Sequence, residues 1–221
     1  MTIARKNRKS EADLLAALPA PVRTLAAAGL IRHFKAHTVL IHEGDRGSTV
    51  FVVLSGKLRI YCSDYTGREI TLAFYGPGEY VGEMSLDKGP RSASVVTEED
   101  SLCAVVTGTI LRKHLAHEPA FAMELILRLI RRARLATESA RSLALLDAYG
   151  RVAKLFDELG VRQRDGTRII SQPMTHLDIA ERVGCSREMI GMLLKDLVGG
   201  GYLSVQKKKQ YVVLKPLPER W

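Results

Sequence analysis

The segment Gly82-Glu-Met-Ser-Leu-Asp-Lys-Gly-Pro-Arg-Ser-Ala-Ser94 places a carboxylate, a guanidinium and hydroxyls on one short, glycine-bounded stretch between apolar runs. Gly82 permits a positive φ or a close backbone approach, and Pro90 stiffens the chain leading into Arg91. A tight turn over Leu86–Ser92 can leave several backbone N–H groups unspent, which makes an anion nest. Arg91 adds a forked positive charge to that nest, and Ser92 adds a small donor. Glu83 repels a phosphate, so its use is to accept from something beside one, such as a sugar hydroxyl. The segment therefore reads as a site for a phosphorylated ribose, with Gly82, Glu83, Met84, Arg91, Ser92 and Ala93 as candidate ligand residues. The alternative is a surface turn in which Arg91 pairs with Glu83 or a nearby acid.

A second constellation lies near the C-terminus. Thr175-His-Leu-Asp178 is a capping box followed by Ile179, Ala180 and Val183 at helical spacing. Gly184 ends that helix and Ser186 caps the next, a helix-turn-helix pattern. Ile190, Leu193, Leu194 and Leu197 form the buried face of the second helix, which leaves Arg187, Glu188, Gly191, Met192 and Lys195 outward. In such motifs the first turns of the second helix approach base edges in the major groove. Arginine there pairs with guanine O6 and N7, and glutamate accepts from cytosine N4. Two strand-like runs, Tyr202–Val205 and Tyr211–Leu214, follow a glycine triplet and are joined by Lys207-Lys-Lys209. That pair reads as a wing whose lysine tip suits phosphate contact. The candidate DNA-binding residues are Thr175, Ser186, Arg187, Glu188, Gly191, Met192, Lys195, Lys207 and Lys208.

The elements that position these two sites follow from pattern. The 221 residues suffice for two small domains, and a net charge of +9 favours an anionic partner such as nucleic acid. Ser10-Glu-Ala-Asp13 is a capping box opening a short helix that Pro19 ends. Thr38–His42, Val50–Leu54, Lys57–Cys62, Glu69–Phe74, Ser94–Thr97 and Leu102–Val106 alternate or run apolar between glycines, as the strands of an antiparallel sandwich or barrel do. Between Phe121 and Leu146 there is no glycine or proline. There Met123, Ile126, Ile130, Ala133, Thr137, Ala140 and Ala144 recur in alternating steps of three and four. That period is the one of a coiled-coil seam and points to a two-fold dimer, the alternative being a helix packed only on its own domain. A second row, Ala122, Leu125, Leu129, Ala136 and Leu143, widens the face enough to reach the strand-rich part as well. Asp147 suits the N-cap of a further helix, Ala148–Leu159, closed by Gly160, and the domain boundary is placed at Asp147.

Together these features resemble the cAMP receptor protein / FNR (Crp-Fnr) family of bacterial regulators, over roughly residues 20 to 214 in one continuous order. The resemblance implies an α+β chain with four parts. These are a basic tail and short helix (1–19), a cyclic-nucleotide-binding β-roll (20–118), a dimerisation helix (119–146) and a winged helix-turn-helix DNA-binding domain (147–221). It further implies that Glu83 holds a ribose 2′-hydroxyl, that Arg91 and Ser92 hold the cyclic phosphate, and that Asp147 is the hinge. Arg132 and Thr137 on the long helix would approach the nucleotide. Partners would be a pseudo-palindromic DNA duplex, a second copy of the chain and RNA polymerase, the last through loops such as Val161–Gly166, all in the cytoplasm.

Three departures bear on specificity. The spacing from Gly82 to Arg91 is slightly short for the family's phosphate cassette. The adenine-contacting Thr-Ser pair is here Ala136-Thr137, and the usual third base-contacting arginine is Met192. cAMP is the first expectation for the ligand, with cGMP, cyclic di-GMP or a vestigial site as alternatives. A cupin-type metal enzyme is the competing class. However, His33, His37 and His42 lack the paired spacing such a site needs, and no P-loop or nucleophile–base arrangement is present. Cys62, Cys103 and Cys185 match neither a disulfide framework nor a CxxC metal pair. No uncharged apolar run reaches 18 residues, so no membrane span is expected, and the spacing of the histidines and cysteines leaves no metal expected.

Overall fold

The computed structural model describes residues 10–206 and 209–218. The chain divides into two compact units. One comprises the residues up to Cys62 with Thr71–Arg131, and the other comprises Ser63–Ile70 with Arg132 onward.

The first unit is built on two four-stranded antiparallel sheets. One has the order β1 (Leu30–Phe34), β8 (Ser101–Val106), β3 (Val50–Ser55), β6 (Tyr80–Val81). The other has the order β2 (Val39–Ile41), β7 (Ser94–Thr97), β4 (Leu58–Ser63), β5 (Glu69–Tyr75). The run Val50-Phe-Val-Val-Leu54 does not alternate in polarity because both faces of β3 are buried. Phe51 and Val53 point between the sheets and pack with Ile41, Leu58, Ile60, Val95 and Cys103. Val50, Val52 and Leu54 point outward, under a helical layer that contributes Val22, Leu25, Leu111, Phe121 and Leu125.

That layer contains α1 (Glu11–Ala16), α2 (Ala20–Ala27), α3 (Gly108–His117) and the start of α4 (Pro119–Leu145). The Ser10 capping box forms as expected, with Asp13 as its reciprocal partner. Pro19 does more than stop α1. It is the N-cap of α2, an element the sequence reading lacked, as it lacked β1, β6 and a separate α3. α4 has 27 residues, about 40 Å of helix. Its buried residues are Phe121 and Leu125, whereas Met123, Ile126 and Ile130 of the expected seam are exposed.

In the second unit, α5 (Ala148–Leu159) is capped by the Asp147 carboxylate, which accepts from the Gly150 N–H at 2.7 Å. α6 (His176–Val183) and α7 (Arg187–Gly199) follow, beside a sheet ordered β11 (Leu203–Gln206), β12 (Gln210–Val213), β10 (Arg168–Ile170), β9 (Gly160–Arg162). Tyr149, Phe156, Ile179, Ile190, Leu194, Leu197 and Tyr211 centre its core. The expected wing forms, and the segment treated as a Val161–Gly166 loop is mostly the β9–β10 hairpin that widens it.

Candidate functional site

The cassette starts where β6 ends. Gly82 adopts φ +96, and a Cβ there would stand 2.4 Å from the Thr49 carbonyl and 2.9 Å from Arg91 Nη1, so only glycine fits. Glu83–Asp87 then forms one 3₁₀ turn, shorter and earlier than the Leu86–Ser92 turn expected from sequence. The turn ends at Lys88 with φ 66, and Asp87 Oδ1 accepts from the Gly89 N–H at 2.7 Å.

Arg91 is 8% exposed, so it does not lie on the surface. Its Nη1 donates to the Gly82 carbonyl at 3.0 Å and to Ser85 Oγ at 3.4 Å, and its Nη2 donates to the Thr49 carbonyl at 2.8 Å. Nε has no protein acceptor among the described residues. Gly47 lies alongside, where a Cβ would be 3.4 Å from Nη2. Burial lowers the pKa of this guanidinium, while the Glu83 and Asp45 carboxylates oppose that shift. Glu83 itself is 2% exposed. The cassette therefore holds a charged fork and a carboxylate out of water, which is costly unless charge and hydrogen-bond partners compensate. Carbonyl acceptors on one side of the fork leave its other edge suited to a phosphate, and the glycine cradle fits close backbone approach to a ligand.

Ala93 is half-buried against the core between the sheets. The Ser92 hydroxyl is exposed and contacts Met84 Sδ at 3.4 Å, and Met84 is itself exposed. Arg132 and Thr137 fall in the second unit, so the structure does not gather all eight expected ligand residues into one body. The Thr137 hydroxyl donates to the Ala133 carbonyl of its own helix at 3.0 Å. Asp45, Gly47, Thr49 and Ser85 were missed by sequence reasoning. The glycines Gly44 and Gly47 were the available signal that a backbone approach occurs there.

The helix-turn-helix residues take the expected places. Thr175 caps α6, and Asp178 returns a bond to the Thr175 N–H at 2.6 Å. Gly184 ends α6 in the left-handed region, φ 67, and Ser186 caps α7 by accepting from the Met189 N–H. Arg187, Glu188, Met192 and Lys195 are exposed on α7, and Gly191 is half-buried beside His176. Arg151 fixes the motif, with Nε to the Val183 carbonyl at 2.6 Å and Nη1 to the Leu146 carbonyl at 2.8 Å. Lys207 and Lys208 lie outside the described residues. Such a scaffold presents two capped helix N-termini and exposed cations, the equipment for phosphate positioning and base reading.

Among the described residues no group of three or more His, Cys, Asp or Glu side chains could hold a metal ion. His33 lies 3.8 Å from Asp100 on the surface. No described helix is long and apolar enough to cross a membrane.

Comparison with known proteins matches residues 31–118 to the cyclic nucleotide-binding domain and residues 150–217 to the Crp-like helix-turn-helix domain. The chain is 32% identical over 178 residues to a CRP-like cAMP-activated global transcriptional regulator of Mycobacterium tuberculosis, covering 79% of each. It is 27% identical over 185 residues to the cAMP-activated global transcriptional regulator CRP of Escherichia coli, covering 80% of this chain and 87% of that one. Among solved structures, the c-di-GMP responsive global regulator CLP of Xanthomonas campestris superposes with a TM-score of 0.78 at 25% identity. That alignment covers 88% of this chain and 98% of the other. The matched domains and relatives are those of regulators, not enzymes.

Proposed function

The chain belongs to the Crp-Fnr family of cyclic-nucleotide-responsive, DNA-binding transcription regulators, and from that premise we propose that its ligand is cAMP, bound at the Gly82–Ala93 cassette. The observation that carries this reading is the buried Arg91 fork in a cradle only glycine permits, with Glu83 buried beside it. Arg91 and Ser92 would bind the cyclic phosphate and Glu83 the ribose hydroxyl, with Arg132 and Thr137 approaching the base. Two relatives named as cAMP-activated support the choice of nucleotide.

The working form is a homodimer joined along α4, for which the exposed Met123, Ile126 and Ile130 row speaks. Nucleotide favours one arrangement of the helices over another, with Asp147 as the hinge. The paired α7 helices then enter successive major grooves about 34 Å apart on a pseudo-palindromic duplex. Arg187 and Glu188 read base edges there, while Thr175, Ser186, Lys195, Lys207 and Lys208 hold the backbone. RNA polymerase is the downstream partner, approached through the β9–β10 hairpin, and the cytoplasm is the site of action.

Calorimetric titration of cAMP into wild type and Arg91→Ala, together with fluorescence polarisation of a palindromic duplex with and without nucleotide, tests the reading. Saturable binding by wild type, lost in the variant, with tighter duplex binding in the presence of cAMP, is the expected result. Equal binding by both proteins removes Arg91 from the site. A duplex response to cGMP or cyclic di-GMP alone transfers the ligand assignment to that nucleotide.

A further inference from the structure

Two residues before Gly82, strand β6 contributes Tyr80, whose side chain is fully buried. Its hydroxyl donates to Glu124 Oε2 on the first turns of α4 at 2.6 Å. Glu124 Oε1 is in turn held by Arg128, from Nη2 at 2.7 Å and from Nε at 2.9 Å. The Arg128 guanidinium stands 4.3 Å from the Tyr80 ring centroid, and its Nη2 donates to the Gly78 carbonyl at 3.3 Å. The ion pair is only 13% and 18% exposed. Phe121, also on α4, seals the other side, with its ring 5.7 Å from that of Tyr80.

An exposed Glu–Arg pair four residues apart contributes only a few tenths of a kcal/mol to a helix. This pair is withdrawn from water, where desolvation offsets most of the attraction and a packed apolar pair would serve stability as well. What apolar side chains would not supply is direction. Here the Glu124–Arg128 pair holds itself within α4, and its remaining contacts, with the Tyr80 hydroxyl and ring and the Gly78 carbonyl, point at the segment that leads into the cassette. Burial raises the Tyr80 phenol pKa and keeps it a donor, and the Glu83 carboxylate of the cassette adds a smaller push in the same direction.

We propose that Tyr80, Glu124 and Arg128 are positioning residues that transmit the state of the cassette to α4. The proposal rests on the ligand reading above and adds to it the route by which β6 moves the helix. Binding of nucleotide shifts the backbone at Gly82. The cluster makes α4 follow rather than slide, because a slip of either partner breaks the Tyr80–Glu124 and Gly78–Arg128 bonds and the cation–ring contact together.

The test uses full-length protein and two readouts. The first is the ratio of duplex affinity with saturating cAMP to that without it, for wild type, Tyr80→Phe, Glu124→Ala and Glu124→Gln. Tyr80→Phe keeps the ring and removes one hydroxyl, so it is expected to cut the ratio at least threefold with cAMP affinity in the absence of DNA within threefold of wild type. By linkage, the gain in cAMP affinity caused by DNA falls by the same factor. Glu124→Gln, which keeps an acceptor for the phenol, retains more of the ratio than Glu124→Ala. The second readout is amide hydrogen exchange over residues 119–128 without nucleotide, where Tyr80→Phe is expected to exchange at least tenfold faster. A lower melting temperature with ratio and exchange unchanged would mean a merely structural role and overturn the proposal. If the wild-type ratio is one, the ligand reading fails by itself, and the exchange result still decides the linkage.

Discussion

Replacing Gly82 by alanine isolates the chemistry of the cassette in one methyl group. Two costs add. A non-glycine residue held at φ +96 stores strain of about 1–3 kcal/mol. The new Cβ would also meet the Thr49 carbonyl at 2.4 Å and Arg91 Nη1 at 2.9 Å. Relieving the carbonyl contact requires a shift of the Gly82 or Thr49 backbone, and the Arg91 fork, bonded to both carbonyls, is displaced with it. Losing its bond to the Gly82 carbonyl costs about 1.5–3 kcal/mol, the range for hydrogen bonds to charged groups. The sum, about 2.5–6 kcal/mol, corresponds to a fall of roughly 10–20 °C in the melting midpoint of the first unit. Displacement of Arg91 should weaken cAMP binding at least 100-fold, about 2.7 kcal/mol. Gly67→Ala is the control, because Gly67 has φ +79 but nothing within 4 Å of its Cβ. It bears the conformational strain alone and should leave cAMP affinity within twofold. Differential scanning calorimetry and isothermal titration read the two quantities. Equal effects from both substitutions would refute the crowding argument. An intact cAMP affinity in Gly82→Ala would show that Arg91 does not need its carbonyl partners in order to bind phosphate.

Four further outcomes follow from other parts of the chain. Arg187→Ala should cost about 1–3 kcal/mol at one base pair and relax preference there. Lys195→Ala should instead weaken all duplexes alike and reduce the logarithmic salt slope by about 0.9, both read by polarisation across a salt series. Ile126→Glu with Ile130→Glu, at two exposed seam positions, should convert a sedimenting dimer to monomer without loss of helical circular dichroism. A variant that remains dimeric removes α4 as the joint. At pH 8 an alkylating reagent should modify Cys62 and Cys185 but spare Cys103, which is fully buried with its thiol pushed up to about 12 by desolvation. Intact-mass spectrometry counts the adducts, and three on folded protein would contradict the buried placement.

Legibility in the sequence tracked how local the causes were. The capping boxes at Ser10 and Thr175 and the caps at Asp147 and Ser186 act over three residues, and each formed where the residue types said it would. β3 was legible because an unbroken apolar run has few uses besides a strand buried on both faces. β6 has two residues, too few for any period to show. β1 escaped because its Arg32 and His33 read as polar surface, whereas its pairing with Cys103 and Leu102 of β8 comes from about 70 positions further on. Pro19 misled by its double use. The ring that forbids continuing α1 is pre-set for the first turn of α2.

The cassette divides along the same line. Its residue types suggested an anion site, but the placement of Arg91 depends in part on residue 49, whose carbonyl carries no side-chain signature at all. A buried guanidinium needs acceptors on one side to be tolerated and an open edge on the other to bind an anion, so the donors given to Thr49, Gly82 and Ser85 aim the rest of the fork. This same logic separates Arg91 from Arg128, another packed arginine of the first unit. Arg128 spends its charge on Glu124 and an aromatic face, and so has a built-in counter-ion. Arg91 has mainly neutral carbonyl and hydroxyl partners, with the Glu83 and Asp45 carboxylates acting only through space. A cation compensated by dipoles can still gain from an arriving phosphate, whereas a cation already paired with a carboxylate would first have to give that partner up. Of these two packed arginines, Arg91 is the receptor and Arg128 the joint in the proposed reading.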